Sequence, residues 1–95
     1  MLTRINNKQV RGENFTVSII GIHRVKYSED QRVAFLEIEG GTGPNNEIDW
    51  VIYSETLKGW EAPHDNEELP RRERDRLITN ISKSLELLGM PHRIV

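Results

Sequence analysis

The feature that most constrains the fold is an apolar stripe near the end of the sequence. Ile78, Ile81, Leu85 and Leu88 recur at spacings of three and four residues. This is the period of one face of an α-helix, and such a helix must bury its apolar face against another element. The stripe therefore predicts one long amphipathic helix in the last third of the chain.

The predicted helix has recognisable ends. Pro70 suits a first helical position, because the N–H group that proline lacks would have no partner there. Gly89 suits the left-handed residue that often ends a helix, and Pro91 prevents the helix from resuming. Residues 92–95 then suit a short final strand.

The residues before the helix follow a period of two, which indicates β-strands that are buried on one face. Apolar Phe15, Val17 and Ile19 alternate with polar residues. Further strands are predicted at 22–27, 32–39 and 47–53, with Val33 and Phe35 on the opposite face from Ala34, Leu36 and Ile38. Residues 28–31 suit a tight turn, and the Gly- and Asn-rich residues 40–46 suit a loop.

These elements predict an α+β fold. An antiparallel sheet of about four to five strands would have one face covered by the long C-terminal helix. The residues expected in the core share apolar side chains on the inward positions: Val17, Ile19, Val25, Leu36, Ile38, Ile48, Trp50, Ile52, Ile78, Ile81, Leu85 and Leu88.

Length and composition favour a small cytoplasmic protein. The 95 residues fit one domain, residues 1–95. The chain has no cysteine, which excludes disulfides and thiolate zinc sites. No apolar run approaches the roughly 20 residues of a transmembrane helix, so no contact with a membrane is expected.

Charge is distributed unevenly along the chain, although the net charge is only −2. Residues 33–70 carry nine acidic side chains and one basic side chain, Lys58, whereas both flanking segments are basic. Two interpretations fit this pattern. The acidic middle steers a basic partner to the protein, or the two signs pair within the fold.

The sequence predicts no metal and no cofactor. His23, His64 and His92 are scattered, and none has a second ligand at the spacing that zinc motifs use. The acidic residues between 61 and 68 lack the alternating oxygen ligands and the central glycine of an EF-hand loop.

The sequence also predicts no enzyme and no binding of nucleic acid. Ser54, His64 and Asp65 supply the residue types of a catalytic triad, but no nucleophile elbow surrounds Ser54. The arginines of residues 71–76 are interleaved with acidic residues, and the sequence pI of about 5.9 is far below that of typical nucleic-acid-binding domains.

Binding of a protein remains, and a loop after the last hairpin strand is the candidate surface. Tryptophan is a frequent hot-spot residue, and loops on rigid scaffolds often carry recognition. The candidate contact residues combine this aromatic with nearby carboxylates: Trp60, Glu61, Asp65, Glu67 and Glu55. For Trp60 a second interpretation, in which its ring fills the edge of the core, is also open.

Several segments together resemble the small immunity proteins of bacterial polymorphic-toxin systems. The segments that carry the resemblance are the hairpin 25–32, residues 38–40, 50–53, 57 and 60–63, the helix with Ile78, Asn80, Ile81, Leu85, Leu88 and Gly89, and the short final strand. The Trp60-Glu61 pair is its most specific part. The resemblance covers roughly residues 15–95 and leaves loop 40–46 unmatched.

The resemblance implies a cytosolic protein that binds and blocks a toxin encoded by a neighbouring gene. Many such toxins are nucleases with basic active sites, and an acidic inhibitor surface would complement one. The resemblance assigns no individual contact residue, and the oligomeric state is left open.

Two other functions compete with this one. The first is a small ligand-binding or regulatory module of unknown ligand, with a pocket between sheet and helix. The second is a small enzyme that uses Glu or His residues of segment 54–68.

Overall fold

A computed structural model describes residues 1–42 and 48–95. In these residues, seven strands form one sheet in which the spatial order follows the order of the chain. The strands are β1 (Thr3–Asn6), β2 (Gln9–Arg11), β3 (Phe15–Ile20), β4 (Arg24–Glu29), β5 (Arg32–Thr42), β6 (Ile48–Tyr53) and β7 (His92–Ile94). A 3₁₀ turn, Ser54–Thr56, follows β6, and the helix α1 (Arg71–Leu87) precedes β7.

The sheet is mixed and larger than the sequence predicts. Neighbouring strands from β1 to β6 are antiparallel, whereas β7 runs parallel to β6. A parallel neighbour requires a crossover, and α1 supplies it. The α+β class with one C-terminal helix is confirmed. The prediction of an antiparallel sheet with about four to five strands is corrected, because the described residues form seven strands and the last pair is parallel.

The two strands that the prediction missed are short and polar. All residues of β1 are exposed, and β2 buries only Val10. Such segments carry no period of two, because most of their side chains face water on both sides. Val10 lies opposite Val17 of β3 and extends the core by one strand.

The β4–β5 hairpin is confirmed, with a turn shorter than the predicted one. Asp30 and Gln31 have φ angles of 49° and 65°. Two consecutive residues with positive φ are typical of the type I′ turn, which matches the twist of antiparallel strands. Ser28 and Glu29 belong to β4.

Strand β5 continues into the predicted loop 40–46. Gly40 lies opposite Trp50 of β6, and a Cβ atom at Gly40 would be 3.1 Å from the indole ring. The remainder of that loop, residues 43–46, and Glu47 at the predicted start of β6 lie outside the described residues.

Helix α1 covers one face of the sheet with the predicted apolar stripe. Leu77, Ile81 and Leu85 are completely buried in one cluster with inward residues of the strands. Ile48 is an exception to the predicted core, because its side chain is 63% exposed. Its cross-strand partner is the exposed Thr42, so this end of the hairpin projects beyond the covered part of the sheet.

The predicted end of the helix is confirmed. Gly89 has a φ of 74°, and its N–H donates to the Glu86 carbonyl at 3.0 Å, while the Met90 N–H donates to the Leu85 carbonyl at 2.9 Å. This pair of bonds defines a Schellman motif. Pro70 is extended and caps the helix instead of starting it, so the helix begins at Arg71.

Candidate functional site

The candidate site lies on the face of the sheet opposite α1. Val25 and Leu36 are cross-strand partners beneath the helix. Because successive side chains point to opposite faces, their neighbours Arg24, Phe35 and Glu37 lie on the other side. We call that side the open face.

The segment that follows β6 forms one wall of the site. Beyond Tyr53 the chain turns and follows the first half of β5, where no strand pairs with that edge among the described residues. The Glu37 N–H donates to Thr56 Oγ1 at 2.8 Å, and the Glu61 N–H donates to the Val33 carbonyl at 2.7 Å. Leu57 is completely buried and anchors this segment in the core.

Strands β4 and β5 and this segment enclose a groove of about 660 Å³ on the open face. We call it the β5 groove. Its lining residues are Arg24, Phe35, Glu37, Thr56, Lys58, Gly59, Trp60, Glu61 and Asp65.

The charged side chains of the β5 groove form no ion pairs with the part of the chain that the structure describes. Arg24 lies opposite Glu37 across the β4–β5 pair, yet its guanidinium carbon lies 4.0 Å from the centre of the Phe35 ring. This contact is a cation–π interaction. Among residues 1–42 and 48–95, none of the five charged lining side chains takes part in an ion pair.

The structure brings three of the five candidate contact residues together. Trp60, Glu61 and Asp65 all line the β5 groove, and the two carboxylates are exposed. Trp60 is only 8% exposed, and the centre of its ring lies 6.4 Å from that of Tyr27. Its main role is therefore to fill the core, and only a small part of its side chain is exposed to the groove.

Glu67 has a structural role in the same loop. It accepts a hydrogen bond of 2.9 Å from Arg32 Nε and lies 2.7 Å from His64 Nδ1. The bonds from Arg32 and then from His64 hold the pKa of Glu67 below its ordinary range. Glu67 thus ties the loop that carries Asp65 to the start of β5.

Glu55 lies apart from the other four candidates. It lines a separate hollow of about 360 Å³ beside the start of α1, together with Arg71, Arg74 and Asp75. The five candidates therefore do not form one surface.

Six residues that line the groove were not predicted as site residues: Arg24, Phe35, Glu37, Thr56, Lys58 and Gly59. A signal for one of them existed, because the alternation of β5 already places Phe35 on the outward face. A large aromatic side chain on that face is a candidate for a contact surface. Its contact with Arg24 could not be predicted, because this contact depends on which residues of β4 and β5 lie opposite each other.

The chemistry of the β5 groove is that of charged recognition. The described residues contain no group of three histidine or acidic side chains that could hold a metal ion. The helix in the described ranges is too short and too polar to cross a membrane. Carboxylates and cations that pair with no described residue surround an aromatic floor, and this arrangement suits contact with a charged protein surface.

Comparison with known proteins identifies the family. No curated protein and no solved structure matches the chain closely enough to be significant. The model of the family described as Immunity protein 74 matches residues 17–94, which extend from β3 to β7. The resemblance to immunity proteins of toxin systems is confirmed, and the chain belongs to the Immunity protein 74 family.

Proposed function

We propose that this protein neutralises a cognate bacterial toxin by binding it directly. The observation that carries the proposal is the family match over residues 17–94. The matched region includes all the elements that build the β5 groove, so the proposed contact surface belongs to the part of the chain that defines the family.

The geometry supports contact through the open face. The β5 groove is held in place by two hydrogen bonds, from the Glu37 N–H to the Thr56 hydroxyl and from the Glu61 N–H to the Val33 carbonyl, and by the buried side chains of Leu57 and Trp60. A preorganised surface loses little conformational entropy on binding. Glu61 and Asp65 are the candidates best placed to touch the partner.

The protein acts as an inhibitor of a nuclease in the cytoplasm. The inhibitor acts by occupying the toxin and not by catalysis, and it acts in the cytoplasm. The toxin is a nuclease with a basic surface, which the acidic residues of this protein would complement. Opposite charges on the two surfaces accelerate their encounter. Of the remaining candidates, Trp60 and Glu67 support this surface, whereas Glu55 faces the separate hollow beside α1 and lies outside the proposed contact surface.

A growth assay and a binding assay together test the function. The toxin encoded beside the gene is induced in a bacterial host with and without this protein, and growth is followed. A catalytically inactive form of the toxin is then mixed with the pure protein and analysed by size-exclusion chromatography with light scattering. We expect restored growth and a stable complex; continued killing and separate elution would refute the proposal.

A small-ligand module is the alternative function. The space between sheet and helix, where its pocket was expected, is filled by buried side chains that include Leu36, Ile52 and Leu85. The β5 groove has a volume typical of ligand sites, but five of its nine lining residues are charged, whereas ligand sites are mostly apolar. Stabilisation by a metabolite in a thermal-shift screen would favour this alternative.

A further inference from the structure

Among the described residues, most carboxylates of the acidic middle of the chain form no ion pair. Residues 33–70 contain eight acidic side chains within the described ranges. Of these eight, only Glu67 takes part in an ion pair with a described residue. The interpretation in which the two signs pair within the fold therefore does not account for the acidic segment.

Four of these carboxylates belong to the open face. Glu37 and Glu39 alternate along β5 on that face, and Glu39 accepts a hydrogen bond of 2.9 Å from the Tyr53 hydroxyl. Glu61 and Asp65 continue the row across the β5 groove. We call Glu37, Glu39, Glu61 and Asp65 the acidic row. All four side chains are exposed.

The contact between Arg24 and Phe35 keeps one end of the row available. Arg24 is the cross-strand partner of Glu37 and is therefore a candidate to neutralise it. Because its guanidinium stacks on Phe35, Glu37 has no ion pair among the described residues. Lys58 also lines the groove and likewise pairs with no described carboxylate.

We propose that the acidic row is the docking surface for a basic segment of the toxin, and that an arginine or lysine of this segment enters the β5 groove between Glu37, Glu61 and Asp65. This inference rests on the proposed function and specifies its contact chemistry. The carboxylates of the acidic row form no ion pair with a described residue, so they have none of these to lose when a partner binds. An opposite charge brought to them gains Coulomb energy as water is displaced.

Charge reversal on each face of the protein tests this inference. The double variant Glu61→Lys/Asp65→Lys changes the acidic row. The matched control Glu86→Lys/Asp75→Lys changes two exposed carboxylates of α1, on the covered side of the sheet. Neither pair of residues forms an ion pair within the described ranges, so thermal melting is expected to be similar for all three proteins.

Binding of the inactive neighbouring toxin is then measured by biolayer interferometry at low and high salt. We expect the groove variant to bind at least about ten-fold more weakly, with a slower association rate and a weaker dependence on salt. The control should bind like the unmodified protein. A toxin variant with one basic residue reversed to Glu should regain affinity for the groove variant.

The outcomes separate the two proposals. If the unmodified protein binds the toxin and the groove variant binds equally well, the docking surface lies elsewhere and only this inference fails. If the unmodified protein neither binds the toxin nor protects cells from it, the proposed function fails and the inference fails with it.

Discussion

Arg76 of α1 donates hydrogen bonds of 2.7 and 2.8 Å to the two carboxylate oxygens of Glu29 on β4. Glu29 also accepts a hydrogen bond of 2.7 Å from the Tyr27 hydroxyl, to which Asn80 donates at 3.0 Å. Burial is the main cause that raises the pKa of Tyr27, so the phenol stays protonated and serves as a donor. This network fastens the helix to the β4–β5 hairpin.

Arg76→Ala should destabilise the fold by about 1–2 kcal/mol. The Glu29 side chain is 13% exposed and would lose a two-point contact, although the 42% exposure of Arg76 limits the loss. Urea unfolding followed by circular dichroism measures the effect. Arg72→Ala is the matched control, because Arg72 is exposed and forms no ion pair with a described residue. Equal stability of the two variants would contradict a structural role for Arg76.

Stability should fall in acid partly because of Glu29. Hydrogen bonds from Arg76 hold the pKa of Glu29 below its ordinary value of 4.5 in the folded protein. A carboxylate whose folded pKa is lowered stabilises the fold above its unfolded pKa, and this contribution disappears as the pH falls through the folded pKa. The free energy of unfolding, measured from about pH 6 to about pH 3, should therefore decrease less steeply for Glu29→Gln than for the unmodified protein. Parallel profiles would contradict this assignment.

The short loop between β2 and β3 depends on a glycine. A Cβ atom at Gly12 would overlap the Phe15 ring, which stacks on Tyr27 with ring centres 5.4 Å apart. Gly12→Ala should therefore displace Phe15 and cost about 1–3 kcal/mol. At Gly41 the nearest atom to an added Cβ is 3.7 Å away, so Gly41→Ala serves as the control. Thermal melting distinguishes the two, and equal melting temperatures would contradict the clash.

Local periodicity accounts for the part of the fold that the sequence predicted. The helix and the β4–β5 hairpin are specified by residues within a few positions of one another, such as Asp30 and Gln31 at the turn. The parallel pairing of β7 with β6 depends on a crossover by α1, and no local pattern encodes it. The weak strand β2 gains its place from pairing with β3, and β1 gains its place from pairing with β2.

The candidate site likewise combines residues that are close in sequence, which could be predicted, with residues from distant segments, which could not. Trp60, Glu61 and Asp65 were predicted because their residue types and loop position indicate recognition, and they are close in sequence. Glu37 joins them through a hydrogen bond to Thr56, which is 19 residues away. A contact of this separation follows from strand register and has no signal in a single sequence.

Replacement of Trp60 by alanine should destabilise the fold, because Trp60 is a core residue. Its 8% exposure and its contact with Tyr27 predict a loss of about 3–5 kcal/mol for Trp60→Ala. Loss of toxin binding by that variant would therefore report unfolding. Trp60→Phe, which keeps an aromatic ring in the site, should remain folded and separate the two effects. Melting temperatures within error of the unmodified protein for Trp60→Ala would contradict the burial.

Gly59 offers a steric test of the β5 groove that leaves every charge unchanged. It lines the groove, and an added Cβ would have no atom within 4 Å. Gly59→Gln should therefore place a neutral side chain in the groove while stability changes by no more than about 0.5 kcal/mol. The control is Thr79→Gln on the exposed side of α1. If the groove receives the toxin, isothermal titration calorimetry with the inactive toxin should show weaker binding for Gly59→Gln alone, whereas equal affinities for both variants would place the contact outside the groove.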